Sequence, residues 1–307
     1  LSNMTIIEGK TGWILVDVLT AAETAQAALA FAQKHLGKKP IKAVLFTHSH
    51  IDHFGGIDGV LQLLSEDEKA ALRIIAPQGF MEAVTSENII AGTAMGRRAM
   101  YMYGKRLPRS ERGHVGSGLG KGPAFGSHGI ASPTELIDNT PQPLDIDGIP
   151  FVFQYTPDSE APAEFTFYLP TYKAFGGAEV ISQTLHNLYT LRGAKVRDAL
   201  AWSAYIEQAR SLFAEAEIYL GSHHWPVWGR DNIQAFLIKQ RDMYKYIHDQ
   251  SVRMINAGYT PNEIADSLSM PESLRSSFSN RGYYGTVKHN AKAVYQAYMG
   301  WFTGNPA

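Results

Sequence analysis

The chain has 307 residues, 45 % hydrophobic and 19 % charged, which is the composition of a globular protein large enough for one big domain or two. A net charge of −1 removes the electrostatic case for a nucleic-acid partner. With no cysteine, disulfides and thiolate ligands are both excluded, so any metal must be held by His, Asp and Glu.

Met4–Ile7 and Trp13–Val18 are short apolar runs flanking Gly9-Lys10-Thr11-Gly12, and they read as a hairpin with Asp17 near its end. The chain opens on Leu1 and enters this strand almost at once, with no signal peptide in view. It therefore reads as a fragment, and the missing part is where such a peptide would lie. Residues Thr24–Leu36 suit an amphipathic helix with Ala27, Leu29, Phe31, Ala32 and Leu36 inward, stopped by Gly37. The strand-like run Ile41–Phe46 follows, then a helical stretch Ile57–Leu64 and a strand Arg73–Ala76. This strand–helix alternation predicts α/β layers.

Asn88–Tyr103 reads as a helix with Asn88 as N-cap and Gly104 as stop. Met95, Met100, Tyr101, Met102 and Tyr103 on it suit either an apolar channel or a core helix. A glycine-rich stretch from Gly113 to Gly129 follows. Gly120-Lys121 within it is not a phosphate-binding loop, because Val115 and Gly122 stand where that motif needs Gly and Ser or Thr. It reads instead as a mobile or substrate-facing loop. Further strands are expected at Leu144–Gly148, Phe151–Tyr155, Phe165–Leu169 and Ile218–Leu220, with a helix over Asp198–Ala216. From Asn232 helical patterns dominate: Asn232–Asn256, Asn262–Leu268, Glu272–Phe278 and Ala291–Trp301. Thr260-Pro261-Asn262-Glu263 is a natural helix start. A boundary is expected near Asp231, dividing a catalytic domain over 1–231 from a helical region over 232–307. No apolar run approaches the ~20 residues needed to span a bilayer.

The most informative stretch is Thr47-His48-Ser49-His50-Ile51-Asp52-His53-Phe54-Gly55-Gly56. Four potential metal ligands stand within six positions behind a buried strand. Imidazole and carboxylate are the side chains that bind Zn²⁺ and its relatives near neutral pH. Residues two apart on a strand share a face, so His48 and His50 can grip one ion. Asp52 and His53, entering a turn at Gly55-Gly56, can face a second. Further ligands are sought where other strands open to a cleft: Glu160, Glu179, and His223 or His224.

The motif resembles H-x-H-x-D-H of the metallo-β-lactamase fold, an αββα sandwich, here with N-terminal strands expected to be missing. A narrower resemblance is carried by four further runs. They are Ser159–Glu164, Thr184–Asp198, Ser222-His223-His224-Trp225-Pro226-Val227-Trp228-Gly229, and Arg281–Asn290. These are similar to the alkylsulfatase branch of that superfamily. The resemblance covers the chain from Leu1 to Ala307, with family members longer at both ends.

It implies a binuclear zinc hydrolase, a sulfuric ester hydrolase that splits linear alkyl sulfates such as dodecyl sulfate with a metal-activated water. His48, His50 and Glu160 would hold the first ion. Asp52, His53 and His224 would hold the second, with Glu179 bridging. Asn187, Arg192 and Arg197 would hold the sulfate head, an assignment that suits the fork of donors on arginine. His289 would act as acid or orient the sulfate, beside Asp52 and Glu179 as catalytic residues; Tyr283 or Tyr284 are weaker candidates. The resemblance also implies a homodimer through the C-terminal helices and a periplasmic or secreted location. The alternatives are another hydrolase of the same fold, acting on a thioester, lactam or phosphodiester, and an inactive metal-binding fragment.

Overall fold

A computed structural model of the chain describes residues 2–302. Strands β1 (Thr5–Glu8) and β2 (Trp13–Val16) form the expected antiparallel hairpin. Helix α1 (Ala22–Leu36) crosses back to β3 (Ile41–Leu45), which lies parallel to β2. The short helices α2 (Ile51–Phe54), α3 (Ile57–Leu61) and α4 (Glu66–Ala71) lead to β4 (Arg73–Pro77). Helix α5 (Phe80–Thr85), a π-helical turn over Ser86–Ile90 and α6 (Gly92–Met102) precede β5 (Glu135–Ile137). These strands make one sheet in the order β1-β2-β3-β4-β5.

The second sheet is built from β6 (Gln142–Ile146), β7 (Ile149–Tyr155), β8 (Phe165–Leu169), β9 (Ala174–Gly176), β10 (Ile218–Leu220) and β11 (Val227–Trp228), in the order β11-β10-β9-β8-β7-β6. Helix α7 (Ala199–Leu212) separates β9 from β10. The 27-residue α8 (Arg230–Asn256) follows β11, and α9 (Pro261–Ser267), α10 (Glu272–Arg275) and α11 (Val287–Met299) end the chain. Among the described residues no helix is long and apolar enough to cross a membrane.

The period of two in the strands decides the layering, since alternate side chains leave opposite faces. In β2, Ile14 and Val16 face the second sheet while Trp13 and Leu15 face α1 and its neighbours. Both faces are buried, which is why the run Trp13–Val16 is continuously apolar. Between the sheets, Ile14, Val16, Leu45 and Ile75 meet Phe151, Phe153, Phe165 and Phe167. Phe153 is fully buried there, against Phe151 and Phe165, and its truncation to Ala is expected to cost about 3–5 kcal/mol. On the outer face of the second sheet, Phe175 and Tyr219 pack with Trp202 and Ile206 of α7 and Leu237 and Tyr244 of α8. The result is helix, sheet, sheet, helix: the expected αββα sandwich.

Several expectations shift. The buried stripe of α1 is Ala22, Ala25, Leu29 and Ala32; Ala27 and Phe31 lie exposed, because the 3.6-residue period carries them off the face that those four share, and Leu36 lies exposed as the last residue of the helix. Asn88 does not cap a helix. It sits inside the π turn, where its Nδ2 donates to the Val84 carbonyl at 3.0 Å. None of the residues of α6 is buried, so that helix walls a cavity and does not sit in the core. Helix α11 begins at Val287, four residues early, under a Thr286 cap. The Thr260–Glu263 capping box forms as its sequence suggests.

Candidate metal centre and active site

The open ends of the two sheets meet at His48. It makes an isolated antiparallel bridge with Glu164, and the Phe165 N–H donates to the Thr47 carbonyl at 3.0 Å. This contact places the His48–His53 turn, after β3, beside the Glu160 loop between β7 and β8. Glu179 arrives from the end of β9. Gly177 lets the backbone pass close to the Tyr219 ring there, since a Cβ on it would stand 2.4 Å from that ring. His223 arrives from the loop after β10.

Two clusters result. His48, His50, Glu160 and Glu179 form one, and Asp52, His53 and His223 the other. The Glu179 carboxylate lies between them: Oε2 is 3.2 Å from His48 Nε2, 3.4 Å from His53 Nε2 and 3.4 Å from His223 Nε2. Glu160 Oε2 is 2.9 Å from His50 Nδ1, and Asp52 Oδ2 is 3.3 Å from His53 Nε2 and 3.5 Å from His223 Nε2. Buried polar atoms normally find partners. Yet His48 Nε2 and His53 Nε2 make no well-formed hydrogen bond, and Glu160 Oε2 meets only the ring nitrogen of His50, itself a potential ligand. Buried nitrogen and oxygen donors converging without partners fit a divalent cation of the borderline class that imidazole and carboxylate prefer.

The charges agree. Burial holds the His48 imidazole below its ordinary pKa, aided by His53, and so keeps a lone pair. Burial opposes the charge on Asp52, Glu160 and Glu179. The imidazoles around Asp52 and Glu179, and Arg197 beside Glu160, outweigh it and hold all three ionised. Burial also opposes protonation of His53 and His223, but the nearby carboxylates raise both. Protons occupy there the positions that a cation competes for.

A hub that sequence reading did not single out sits behind the cluster. Asp17, buried and at φ +59°, accepts from the Thr47 N–H at 2.9 Å, Thr47 Oγ1 at 3.0 Å, Ser222 Oγ at 3.2 Å and His53 Nδ1 at 2.7 Å. Thr47 spends its one hydroxyl proton on Asp17, so at 2.9 Å from His48 Nδ1 it must accept. His48 then carries its hydrogen on Nδ1 and aims a bare Nε2 at the cluster, while His53, bonded through Nδ1 to Asp17, turns toward it the Nε2 whose proton a cation would displace. Its sequence signal was an acid closing an entirely apolar strand. Glu164 is a second hub: Oε1 accepts from the N–H groups of Glu179 and Val180, each at 3.0 Å, and Oε2 from Ala161 N–H and Ser159 Oγ, each at 3.1 Å. It thereby ties the Glu160 loop to the Glu179 loop. Burial and the two neighbouring glutamates raise its pKa. His186 is also missing from the expected set; it takes its hydrogen bond from Arg197 at Nδ1, and its Nε2 lies 3.0 Å from Glu179 Oε1.

Three expectations are corrected by position. His224 does not join the second cluster; His223 does. The two are adjacent, and His224, at φ +66°, offers no ligand atom to the group that Asp52, His53 and His223 form. His289 is exposed in the first turn of α11, bonded to Thr286, and does not line the cavity. Asn187 and Arg197 lie one layer behind the cavity wall. Arg197 Nη2 ion-pairs with Glu160, and its Nη1 donates to Asn187 Oδ1 at 2.8 Å.

Arg192 does reach the cavity, as do Met95, Tyr103 and Tyr284, whereas Tyr101 and Tyr283 are exposed. This cavity, of about 640 Å³, opens above the two clusters. Its far wall is apolar, with Ile51, Val84, Ile89, Ala99, Leu119 and Ile130. The Tyr103 and Tyr284 hydroxyls meet at 3.0 Å, and burial raises both pKa values, so both stay neutral; one donates to the other, and one O–H is left for a ligand.

The family model for the metallo-β-lactamase superfamily matches residues 1–223, and that for alkyl sulfatase dimerisation matches residues 260–307. The chain is 49 % identical to a linear primary-alkylsulfatase of a Pseudomonas species, over 100 % of this chain and 46 % of the relative. It is 47 % identical to an alkyl/aryl-sulfatase of Saccharomyces cerevisiae, over 100 % of this chain and 48 % of the relative. A solved structure of a stereoselective inverting sec-alkylsulfatase from a Pseudomonas species superposes with a TM-score of 0.95 at 42 % identity, covering 99 % of this chain and 48 % of that one. The chain spans about half the length of the curated relatives it matches.

Proposed function

The chain belongs to the metallo-β-lactamase superfamily, in its alkylsulfatase branch, and from that premise we propose that it hydrolyses linear alkyl sulfate esters to alcohol and sulfate at two zinc ions. The observation that carries the reading is the set of buried, partnerless donors around Glu179, placed below a cavity with a cationic edge and an apolar wall. His48, His50 and Glu160 would hold one ion, Asp52, His53 and His223 the other, and Glu179 would touch both. When bound, the ions supply Lewis acidity, making water nucleophilic near neutral pH and offsetting charge on a sulfate oxygen.

The remaining work falls to the chain's own residues. Arg192 offers guanidinium N–H donors to the sulfate head from the cavity edge. Tyr103 and Tyr284, neutral and paired, orient the same head. Asn187 and Arg197 hold Glu160 in place, and His186 holds Glu179. The apolar wall of Val84, Ile89, Met95, Ala99 and Leu119 takes the alkyl chain and keeps bulk water from the ester. Attack at carbon expels sulfate and attack at sulfur expels alkoxide; hydrolysis in ¹⁸O water separates them, because the label enters the alcohol in the first case and sulfate in the second. We also propose a homodimer through the region around α9–α11, which light scattering tests.

The test of the reading is release of inorganic sulfate and dodecanol from dodecyl sulfate below its micelle concentration. Chelator-sensitive release of both products is expected. Turnover that persists unchanged in the metal-stripped protein would refute it.

A further inference from the structure

We propose that Glu87 sets the charge selectivity of the anion subsite, so that a singly charged sulfate ester is accepted and a doubly charged phosphate monoester is turned away. This rests on the sulfate-ester reading above and adds a residue that no motif pointed to.

The backbone brings Glu87 there by an unusual route. Helix α5 stops at Thr85, and the next five residues wind as a π turn, which lodges an extra residue in the helical path. Such turns are uncommon and cluster at functional sites. Here the turn carries the Glu87 side chain inward, 8 % exposed, while Ile89 and Ile90 lie 70 % and 80 % exposed. A glutamate is thus buried where two isoleucines are not, the reverse of what burial energetics alone would select.

Its partners explain the inversion. Glu87 Oε2 accepts from Arg192 Nη1 at 3.0 Å and lies 3.8 Å from His50 Nε2. His50 Nδ1 faces Glu160 across the ring, so the second nitrogen, without a hydrogen-bond partner, is turned toward Glu87. Glu87, Arg192 and His50 all line the cavity. If Arg192 needed only to be held in place, a neutral acceptor would serve; indeed it already donates to the Gly193 carbonyl at 3.3 Å and to Met95 Sδ at 3.6 Å. A carboxylate does something a neutral acceptor does not: it cancels the guanidinium charge while leaving the other N–H donors free to point at a ligand. The pair then presents donors to an anion without rewarding a second negative charge, and that second charge would stand near the Glu87 carboxylate. At the effective dielectric of a partly buried site, one unit charge at such a range is worth on the order of 10- to 100-fold in affinity.

The experiment measures binding, by calorimetry on the zinc-loaded protein at pH 9, of decylsulfonate (a monoanion) and decylphosphonate (a dianion), neither of which can be hydrolysed at a sulfate ester. The wild type is expected to prefer the sulfonate. Glu87→Gln is expected to shift the ratio toward the phosphonate by about tenfold or more, with zinc content unchanged. An unchanged ratio at unchanged zinc content overturns the inference, and it leaves the sulfate-ester reading standing. A wild type that binds neither ligand overturns both. Should Glu87→Gln fail to fold with Arg192 left unpaired, Arg192→Gln is compared with Glu87→Gln/Arg192→Gln. Loss of the Glu87 charge in that background is expected to move the ratio in the same direction, and no movement overturns the proposal. A purely structural role for Glu87 would lower both affinities together.

Discussion

The floor and the wall of the cavity are built on opposite principles. The floor is rigid: each side chain hangs from the end of a sheet strand or the turn just beyond it. Asp17, Glu164, His186 and Arg197 then fix its ring planes and carboxylates from behind. The wall over residues 86–130 has a π turn, one helix with no buried residue, and a long glycine-rich stretch without strands. It also carries Arg97, Arg98, Lys105, Arg106, Arg109, Arg112 and Lys121, all exposed, against Glu111 as the only acid between 88 and 130. The near-zero net charge of the whole chain conceals this. Under the proposed function, the geometry that would hold ions comes from sheets, whereas recognition of an alkyl sulfate would fall to a segment with few buried side chains.

That contrast can be broken first at the floor. His50→Ala removes a ring from the first cluster. It is expected to lower kcat/KM by about 10³-fold or more and to reduce bound metal, checked by elemental analysis beside turnover. Normal turnover at full metal content would detach the cluster from the chemistry. At the boundary, Arg192→Ala is expected to cost about 10²-fold in kcat/KM while metal content stays constant, since a charge-assisted hydrogen bond to the ligand is lost. Metal loss in that variant would place Arg192 in the floor instead. Behind the floor, Asp17→Asn keeps the shape but not the charge behind His53. It is expected to weaken metal affinity by about 10- to 100-fold in a competition titration.

Wall effects are smaller and graded. Each methylene added to the alkyl chain, below the micelle limit, is expected to lower KM about fourfold until the cavity is filled, from ~0.8 kcal/mol per buried CH₂. A flat series would mean that the apolar wall does not hold the chain. If the basic segment over 97–121 draws anions toward the cavity, raising ionic strength is expected to lower kcat/KM a few-fold; no salt dependence would remove that segment from the pathway.

The same contrast governs what the sequence revealed. Strand runs such as Trp13–Val18 and Ile41–Phe46 and the dense His48–His53 motif announce themselves, because periodicity and ligand chemistry are local. Glu160 and Glu179 were findable as acids beside strand ends. The choice between His223 and His224 was not, since neighbouring side chains diverge and nothing in His-His-Trp-Pro announces the positive φ that His224 adopts. His289 was assigned by family likeness alone, and its place in the first turn of α11 takes it out of the cavity. Arg197 carries the right chemistry for a sulfate, but its pairing with Glu160 depends on a fold contact between residues 37 positions apart. Glu87 was hidden because the pattern over Asn88–Tyr103 reads as one regular helix; only the π turn brings it inward.

The most direct test of the central claim is a metal titration. Protein stripped by a chelator and then given zinc in known equivalents is assayed for sulfate release from dodecyl sulfate after each addition. The account predicts activity that rises from background and saturates at about two equivalents per chain, as a two-ion site requires. Saturation of binding at two equivalents with no sulfate released, or full activity before any zinc is returned, would contradict it.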